Sequence, residues 1–288
     1  MEIFDRDIVR GRRDRAAPGM NAHDFLAREV SDRLSERLLD FNRPFPAVLE
    51  IGGPADTLHH DEAANFGHEI RVRTDLSSRI LSPFTGPCVA ADEERIPFAE
   101  NSFDLIAGVL SLHWVNDLPG ALIQINQCLR PDGLFIAAMF GGGTLTELRQ
   151  ALLHAEAEVE GGASPRISPF ADLRDAGALL QRAGFALPVA DTETITVTYR
   201  DAFELMRDLR GMGETNAILN RRKTLSRRAT FMRAAAIYHE MFADDQGRIP
   251  ATFEIIWLTG WAPHPDQPKP LRPGSATTRL ADAFKASP

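Results

Sequence analysis

The rhythm of hydrophobic and polar positions changes near residue 45 of this 288-residue chain. Before that point, apolar residues recur at every fourth position from Leu26 to Leu38, which predicts an amphipathic helix within an N-terminal helical segment, residues 1–44. Beyond it, short apolar runs bounded by polar or turn residues predict strands. These runs are Ala47–Ile51, Ile70–Thr74, Cys88–Ala90, Phe103–Val109 and Leu134–Met139.

Helical stretches separate the predicted strands, near Thr57–Asn65, Ser77–Leu81 and Leu118–Leu129. Strands and helices that alternate in this way are typical of a parallel, doubly wound α/β sheet. Further helices are predicted at Leu145–Glu160 and Asp172–Ala183, and further strands at Thr192–Tyr199 and Thr252–Pro263. We therefore divide the chain into a Rossmann-like core at 45–200, a helical insert at 201–250, a last core strand at 251–262 and a proline-rich tail at 263–288.

Composition narrows the possible partners. The formal net charge of −8 argues against nucleic acid, because phosphate binding needs clustered positive charge. No apolar run approaches the roughly 20 residues that a membrane-spanning helix needs, so we expect no stable membrane insertion. The arginine-rich start is interleaved with acidic residues, unlike a transit peptide, and we expect a cytoplasmic protein. Cys88 and Cys128 lie in apolar surroundings and are expected to be buried thiols.

Acidic residues follow the first three predicted strands. Glu50 ends the first strand before Gly52 and Gly53, Asp75 closes the second, and Asp92 follows the third. In an open parallel sheet, ligands bind beyond the carboxyl ends of the strands. A carboxylate at Asp75 can accept both hydroxyls of a ribose, and Asp92 can receive an adenine amino group. The pattern predicts a nucleoside-binding edge.

The turn after the first strand indicates which nucleoside binds. A pyrophosphate favours a glycine-rich turn at a helix N-terminus, whereas Asp56 lies close to that position and would repel phosphate. S-adenosylmethionine has no phosphate and carries a positive sulfonium. The acidic setting therefore favours S-adenosylmethionine over NAD.

Longer motifs carry a family resemblance. "VLEIGG", "TDLS" and "ADEERIPFAENSFDLIAGVLSLHWVNDLP" resemble class I S-adenosylmethionine-dependent methyltransferases. "LSLHWVNDLP", "AMFGGGTLTELR", "EGGASPRISPF", "FELMRDLRGMGETN" and "RPGSATTRL" resemble, more narrowly, the methyltransferase-like family of a mitochondrial complex I assembly factor. This resemblance covers nearly the whole chain. A more distant similarity is to the malonyl-carrier-protein methyltransferases of biotin synthesis.

The resemblance implies a fold, a cofactor and a site. The fold is a Rossmann-like, seven-stranded, mostly parallel sheet with a helical insert before the last strand. The cofactor is S-adenosylmethionine, and the implied activity includes hydroxylation of an arginine in a complex I subunit. The cofactor-binding residues that the resemblance implies are Glu50, Gly52, Gly53, Asp75, Leu76, Asp92, Glu93 and Leu110.

The chain departs from the family at the glycine turn. Pro54 and Asp56 occupy the second and third glycine positions of that turn. Glycine is favoured there for positive φ angles and close approach to the ligand, and proline also removes a backbone donor. Cofactor binding could therefore be retained, weakened, reshaped or lost.

Candidate chemistry outside the turn is sparse. His113 lies just past the fourth strand, where it could act in catalysis, or instead cap the pocket floor or pair with Asp117. His59, His60 and Asp61 read as solvated side chains of a surface helix, and no metal site is predicted.

One dense basic run stands out in this acidic chain. It consists of Arg221, Arg222, Lys223, Arg227 and Arg228. The run is either the solvated face of a helix or a surface that binds an acidic partner.

Three functions are consistent with these features. The first is an enzyme that binds S-adenosylmethionine and modifies a protein substrate, a subunit of respiratory complex I, by methyl transfer or hydroxylation. The second is a non-catalytic assembly chaperone whose altered turn no longer binds the cofactor. The third is a carrier-protein methyltransferase similar to the biotin-synthesis enzyme.

Overall fold

The computed structural model describes residues 2–53, 58, 67–170 and 173–268. Its centre is a seven-stranded sheet in the order β3-β2-β1-β4-β5-β7-β6. The strands are Ala47–Ile51 (β1), Ile70–Asp75 (β2), Cys88–Ala90 (β3), Phe103–Val109 (β4), Leu129–Phe140 (β5), Ala186–Tyr199 (β6) and Ile249–Trp261 (β7). Strands β1 to β5 pair in parallel, and β7 runs antiparallel to both of its neighbours. The predicted seven-stranded, mostly parallel, Rossmann-like sheet is confirmed.

Helices cover both faces of this sheet. They are Arg6–Ala16 (α1), Phe25–Leu39 (α2), Ser78–Leu81 (α3), Leu118–Cys128 (α4), Thr146–Glu160 (α5), Leu173–Arg182 (α6), Ala202–Gly211 (α7) and Arg228–Phe242 (α8). Short 3-10 helices span Ala17–Ala22 and Leu112–Trp114. No helix in the described part of the chain is long and apolar enough to cross a lipid bilayer.

The alternation of strand residues divides the core into two layers. Along β4, Leu105 and Ala107 pack with α2, α5 and α8, whereas Ile106 packs with α4 and α6. Successive side chains of a strand point to opposite faces, so an uninterrupted apolar strand fills both layers at once. On α2, the residues spaced by four from Leu26 to Leu38 are all buried. Full burial of each such leucine contributes about 1.5–3 kcal/mol.

Helices α7 and α8 lie between β6 and β7 in the chain, where the helical insert was predicted. Asp201 caps α7, because its carboxylate accepts hydrogen bonds from the backbone N–H groups of Phe203 and Glu204, both at 2.8 Å. A single antiparallel bridge from Phe4 to Ile218 ties the start of the chain to the loop between these two helices. The N-terminal segment is thus held against the insert.

Some expectations need correction. Strand β5 begins at Leu129 rather than Leu134, because Leu129 pairs with Phe103 ahead of a bulge between Phe103 and Leu105. Cys128 is buried as expected, but Cys88 is exposed, because β3 is a three-residue strand at the sheet edge. The predicted helix Thr57–Asn65 lies outside the described residues apart from Leu58, as does most of the proline-rich tail.

Candidate functional site

The turn after β1 packs against the chain that leaves β4. Gly52 and Gly53 have φ angles of +60° and +108°. A Cβ on Gly52 would lie 2.4 Å from the Ser111 hydroxyl, and one on Gly53 would lie 2.6 Å from the Val109 carbonyl oxygen. Both positions therefore require glycine for backbone angle and for space. Pro54 and Asp56, which follow in this turn, lie outside the described residues.

Two acidic side chains predicted for cofactor binding meet beside this turn. Asp75, at the end of β2, is 1% exposed and accepts a hydrogen bond from the Ser77 backbone N–H at 2.6 Å. Glu93 is 3% exposed, and its Oε1 lies 2.9 Å from the place where a Gly52 Cβ would stand. The structure thus brings the Asp75 and Glu93 carboxylates together at the carboxyl ends of β1, β2 and β4. We call this region the crevice.

Two arginines of α1, which the sequence analysis missed, contact these carboxylates. Arg13 Nη1 lies 3.0 Å from Asp75 Oδ2 and 3.3 Å from Glu93 Oε1. Arg6 pairs with Asp92 at 2.6 Å and also with Glu93. Their spacing of seven residues places both guanidinium groups on one face of the helix. That spacing in "RDIVRGRR" was the available signal, but it does not reveal which carboxylates lie opposite.

Burial sets the protonation of the crevice. It raises the pKa of Asp75 to about 6, against the lowering effect of the Arg13 guanidinium and of the backbone N–H groups of Ser77 and Gly53. Burial also pushes the pKa of Glu93 upward, but Arg13 and Arg6 outweigh it and hold this pKa below its usual value. The Arg13 pKa is raised, because the neighbouring carboxylates outweigh the loss of solvent. Glu93 and Arg13 therefore form an ionised pair, and Asp75 is the group that titrates nearest neutrality.

The other predicted cofactor residues have different surroundings. Glu50 is fully buried and pairs with Arg71 at 2.6 Å and with Arg73. Leu110 is buried with a φ angle of +50°, and its N–H donates to the Ala138 carbonyl at 2.8 Å. Leu76 packs against a small apolar cluster that also contains Trp114. The assignments of Glu50, Leu76 and Leu110 to the cofactor stay predictions.

His113, the predicted catalytic candidate, is buried beside the crevice. Its Nε2 lies 3.0 Å from Glu214 Oε2, and the Trp114 indole N–H donates to the same oxygen at 2.9 Å. Asp117 instead caps α4 by accepting from the Gly120 N–H at 3.0 Å, so the alternative pairing of His113 with Asp117 is wrong. Sequence analysis missed Glu214, which lies in the helical insert about a hundred residues along the chain. A catalytic role for His113 stays a prediction.

A cavity of about 260 Å³ opens next to this cluster, between α1, α5 and the helical insert. Its walls include Trp114, Phe170 and Leu148, with the Glu214 carboxylate and the Arg12 guanidinium among the polar groups. Burial, with the repulsion of Arg221 and Arg15, lowers the pKa of Arg12 to about 10. Trp114 also accepts a hydrogen bond from Arg6 through its carbonyl, at 3.1 Å. Arg6, which pairs with Asp92 and Glu93, therefore connects the crevice to Trp114 in the wall of the cavity.

Other sequence features do not join this site. Among the described residues, no group of three or more His, Cys, Asp or Glu side chains is arranged to hold a metal ion. His59, His60 and Asp61 lie outside the described residues. Within the basic run, Arg221 pairs with Asp5 at 3.3 Å and Arg222 pairs with Glu160. Those two arginines support the fold rather than a free surface.

The strand order with one antiparallel strand at β7, and a glycine turn beside acidic strand ends, define a class I methyltransferase fold. Comparison with known proteins agrees. Residues 57–137 match the family model described as "Methyltransferase domain". The YcgJ protein of Bacillus subtilis has a similar fold, with a TM-score of 0.53 at 14% identity, covering 80% of this chain and 98% of that protein.

Curated relatives narrow the family. The chain is 45% identical to mitochondrial arginine-hydroxylase NDUFAF5 of Danio rerio, over 99% of this chain and 90% of that protein. It is 31% identical to the malonyl-[acyl-carrier protein] O-methyltransferase of Gallionella capsiferriformans, over 98% of this chain and 99% of that protein. The chain belongs to the methyltransferase-like family of NDUFAF5. The name of the Danio relative places that relative in mitochondria, and the cytoplasmic location of this chain stays a prediction.

Proposed function

We propose that this protein binds S-adenosylmethionine in the crevice and modifies an arginine side chain of a protein substrate, a subunit of respiratory complex I. The observation that carries this proposal is the position of Trp114, which lines the cavity and whose carbonyl oxygen accepts a hydrogen bond from Arg6 of the crevice. A cofactor on one side and a substrate side chain on the other can meet there. The name of the arginine-hydroxylase relative supports arginine as the modified residue.

The residues of the crevice fit the cofactor in part. Gly52 and Gly53 allow a ligand to approach the backbone closely. Asp75 ends β2, and a carboxylate at that position can accept the hydroxyls of a ribose. Arg13 forms an ion pair with that carboxylate in this structure. The cofactor-bound form therefore requires the Arg13 side chain to move away from Asp75. When bound, S-adenosylmethionine would supply a methyl group on a sulfonium, a reaction in which the protein mainly provides positioning.

The cavity offers a fitting environment for an arginine side chain. The Glu214 carboxylate already accepts two N–H groups through Oε2, and a guanidinium is complementary to such a carboxylate. Apolar walls at Leu148 and Phe170 suit the methylene stem. His113 and Trp114 hold the Glu214 carboxylate in place. A fixed carboxylate would orient the guanidinium of the substrate arginine in the cavity.

Calorimetric titration and mass spectrometry test this proposal. The chain should release heat and gain thermal stability with S-adenosylmethionine and with its demethylated product. Incubation with arginine-containing peptides of complex I subunits should then add to an arginine the mass of one methylene group, from the sulfonium methyl, or of one oxygen atom, for which dioxygen and a two-electron reductant are supplied. The added mass separates methylation from hydroxylation. Glu214→Gln should lower this modification while cofactor binding is retained.

One observation favours a non-catalytic assembly chaperone instead. Arg13 is buried against Asp75 and Glu93, so the crevice is closed by the chain's own side chain. A chaperone of this kind needs no cofactor. Absence of both heat and thermal shift on titration with S-adenosylmethionine would decide for it.

A different observation favours a carrier-protein methyltransferase. Arg12 lines the cavity, and its Nη1 atom has no hydrogen-bond partner among the described residues. A free guanidinium suits a carboxylate, such as the one on a malonyl group. Methylation of a malonyl carrier protein, with arginine peptides left unchanged, would favour this alternative.

A further inference from the structure

A second concave surface lies on the helical insert, next to the cavity. It is a groove of about 640 Å³ between α7 and α8, and we call it the insert groove. Its apolar lining comes from Phe203, Met206, Phe231 and Met232. Met232 is 51% exposed, and Leu225, next to Ser226 of the groove, is 96% exposed. Apolar side chains left this open to water are typical of a binding surface.

The charge of the insert groove is opposite to that of the whole chain. Arg207, Arg210 and Arg228 line it, and no acidic residue is among the described residues that do so. All three are exposed, and none has an ion pair or a side-chain hydrogen bond within the described part of the chain. Nearby arginines differ, because Arg200 pairs with Glu204 at 2.7 Å and Arg233 pairs with Glu158 at 2.6 Å. The groove thus offers guanidinium groups that form no ion pair with the described residues, in a protein of net charge −8.

The insert groove continues into the cavity. Met206, Arg210 and Phe231 line both. A polypeptide that lies in the groove therefore leads towards Trp114 and Glu214, where the proposed modification takes place. A concave path that ends in a cavity suits an extended chain rather than a flat lipid surface.

We propose that the insert groove binds an acidic, leucine-containing segment of the protein substrate next to the arginine that is modified. The three free arginines would pair with Asp or Glu side chains, and the apolar lining would receive an aliphatic residue between them. This inference rests on the proposed function for its substrate, but the binding step does not need the cofactor.

The test uses fluorescence anisotropy on the full chain, without cofactor. The probe is a labelled synthetic peptide with one arginine flanked by glutamates and a leucine, compared with the same peptide carrying lysines in place of the glutamates. We expect the acidic peptide to bind, the lysine peptide to fail, and the affinity to fall as salt is raised.

Matched charge reversals locate the binding surface. Arg228→Glu should lower the affinity for the acidic peptide by about threefold to tenfold, because an attraction is lost and the repulsion of an exposed charge is added. Arg182→Glu makes the same charge change on α6, against the other face of the sheet, where the exposed Arg182 also has no ion-pair partner among the described residues. We expect this control to bind the acidic peptide with an affinity within twofold of that of the unmodified chain.

Three outcomes would overturn the proposal that the insert groove binds an acidic segment. The first is equal affinity for the acidic and lysine peptides, and the second is an equal loss of peptide affinity in Arg228→Glu and Arg182→Glu. The third is binding of the protein to phosphatidylserine vesicles that the acidic peptide does not displace. A separate titration with S-adenosylmethionine keeps the two proposals apart. Peptide binding without cofactor binding would reject the proposed function alone, and cofactor binding without peptide preference would reject the groove alone.

Discussion

Arg13 Nη1 lies 3.0 Å from Asp75 Oδ2, and both side chains are almost completely buried. The carboxylate predicted to hold the ribose of the cofactor is therefore already bound by a cation from the first helix. A ribose bound as predicted would compete with this guanidinium for the same oxygen. The crevice can exchange one for the other only if α1 or its side chain moves.

Arg13→Met should tighten the binding of S-adenosylmethionine severalfold, because the competing guanidinium is gone. It should also lower the free energy of unfolding of the free protein by about 3–5 kcal/mol, since buried carboxylates lose their partner. Calorimetry at pH 8 measures the affinity, at a pH that keeps Asp75 ionised when its pKa rises further without Arg13. Arg10→Met is the control, because the Arg10 side chain is 55% exposed and pairs with the exposed Asp7. Weaker binding by Arg13→Met would show that Arg13 belongs to the cofactor site.

Asp75→Asn should weaken S-adenosylmethionine binding by about tenfold to a hundredfold, because a hydrogen bond to a charged acceptor contributes about 1.5–3 kcal/mol. Calorimetric titration of the variant beside the unmodified chain checks this. Asp104→Asn serves as a comparison, because Asp104 accepts the Ala47 N–H at 2.8 Å at the opposite end of the sheet. Equal affinities for Asp75→Asn and the unmodified chain would exclude Asp75 from the site.

The raised pKa of Asp75, about 6, predicts a pH dependence. Because the folded state holds this proton more tightly than the unfolded state, ionisation of Asp75 costs stability as pH rises from about 4 to about 6. Above that range the cost is constant. The free energy of unfolding of Asp75→Asn, minus that of the unmodified chain, should therefore increase over this range by up to about 3 kcal/mol.

Urea unfolding at several pH values measures that difference. Cofactor affinity should follow the same window, because only ionised Asp75 accepts both ribose hydroxyls. Binding of S-adenosylmethionine should weaken below pH 6, by up to about tenfold for each pH unit. A stability difference that stays flat from pH 4 to pH 6 would mean that Asp75 ionises at its ordinary pKa.

Gly52→Ala should destabilise the fold by about 1–3 kcal/mol, because its φ angle of +60° and the Ser111 hydroxyl, 2.4 Å from the new Cβ, both oppose a side chain. Gly11→Ala is the matched control. Gly11 lies inside α1 with nothing within 4 Å of its Cβ position, so alanine there should stabilise by about 0.5–1 kcal/mol. Thermal unfolding of the two variants compares them, and equal effects would contradict the close packing of this turn.

The sequence was most informative where the signal is local. Short apolar runs such as Phe103–Val109 place the strands, and the acidic residues that follow them predict Asp75. Glu93 came from the family resemblance alone. The pairing of Arg13 with Asp75 spans 62 residues, and that of Trp114 with Glu214 spans 100. Contacts this distant depend on how α1 and the insert pack, which no periodicity records.

The helical insert is carried between β6 and β7, two long strands that pair with each other at the edge of the sheet away from β1 and β2. Changes in α7 and α8 therefore need not disturb the strands that form the crevice. Under the proposed function, such a layout would let the insert change the acceptor while the strands that hold the methyl donor stay unchanged. Relatives named for an arginine and for a malonyl carrier protein are consistent with divergence of this kind.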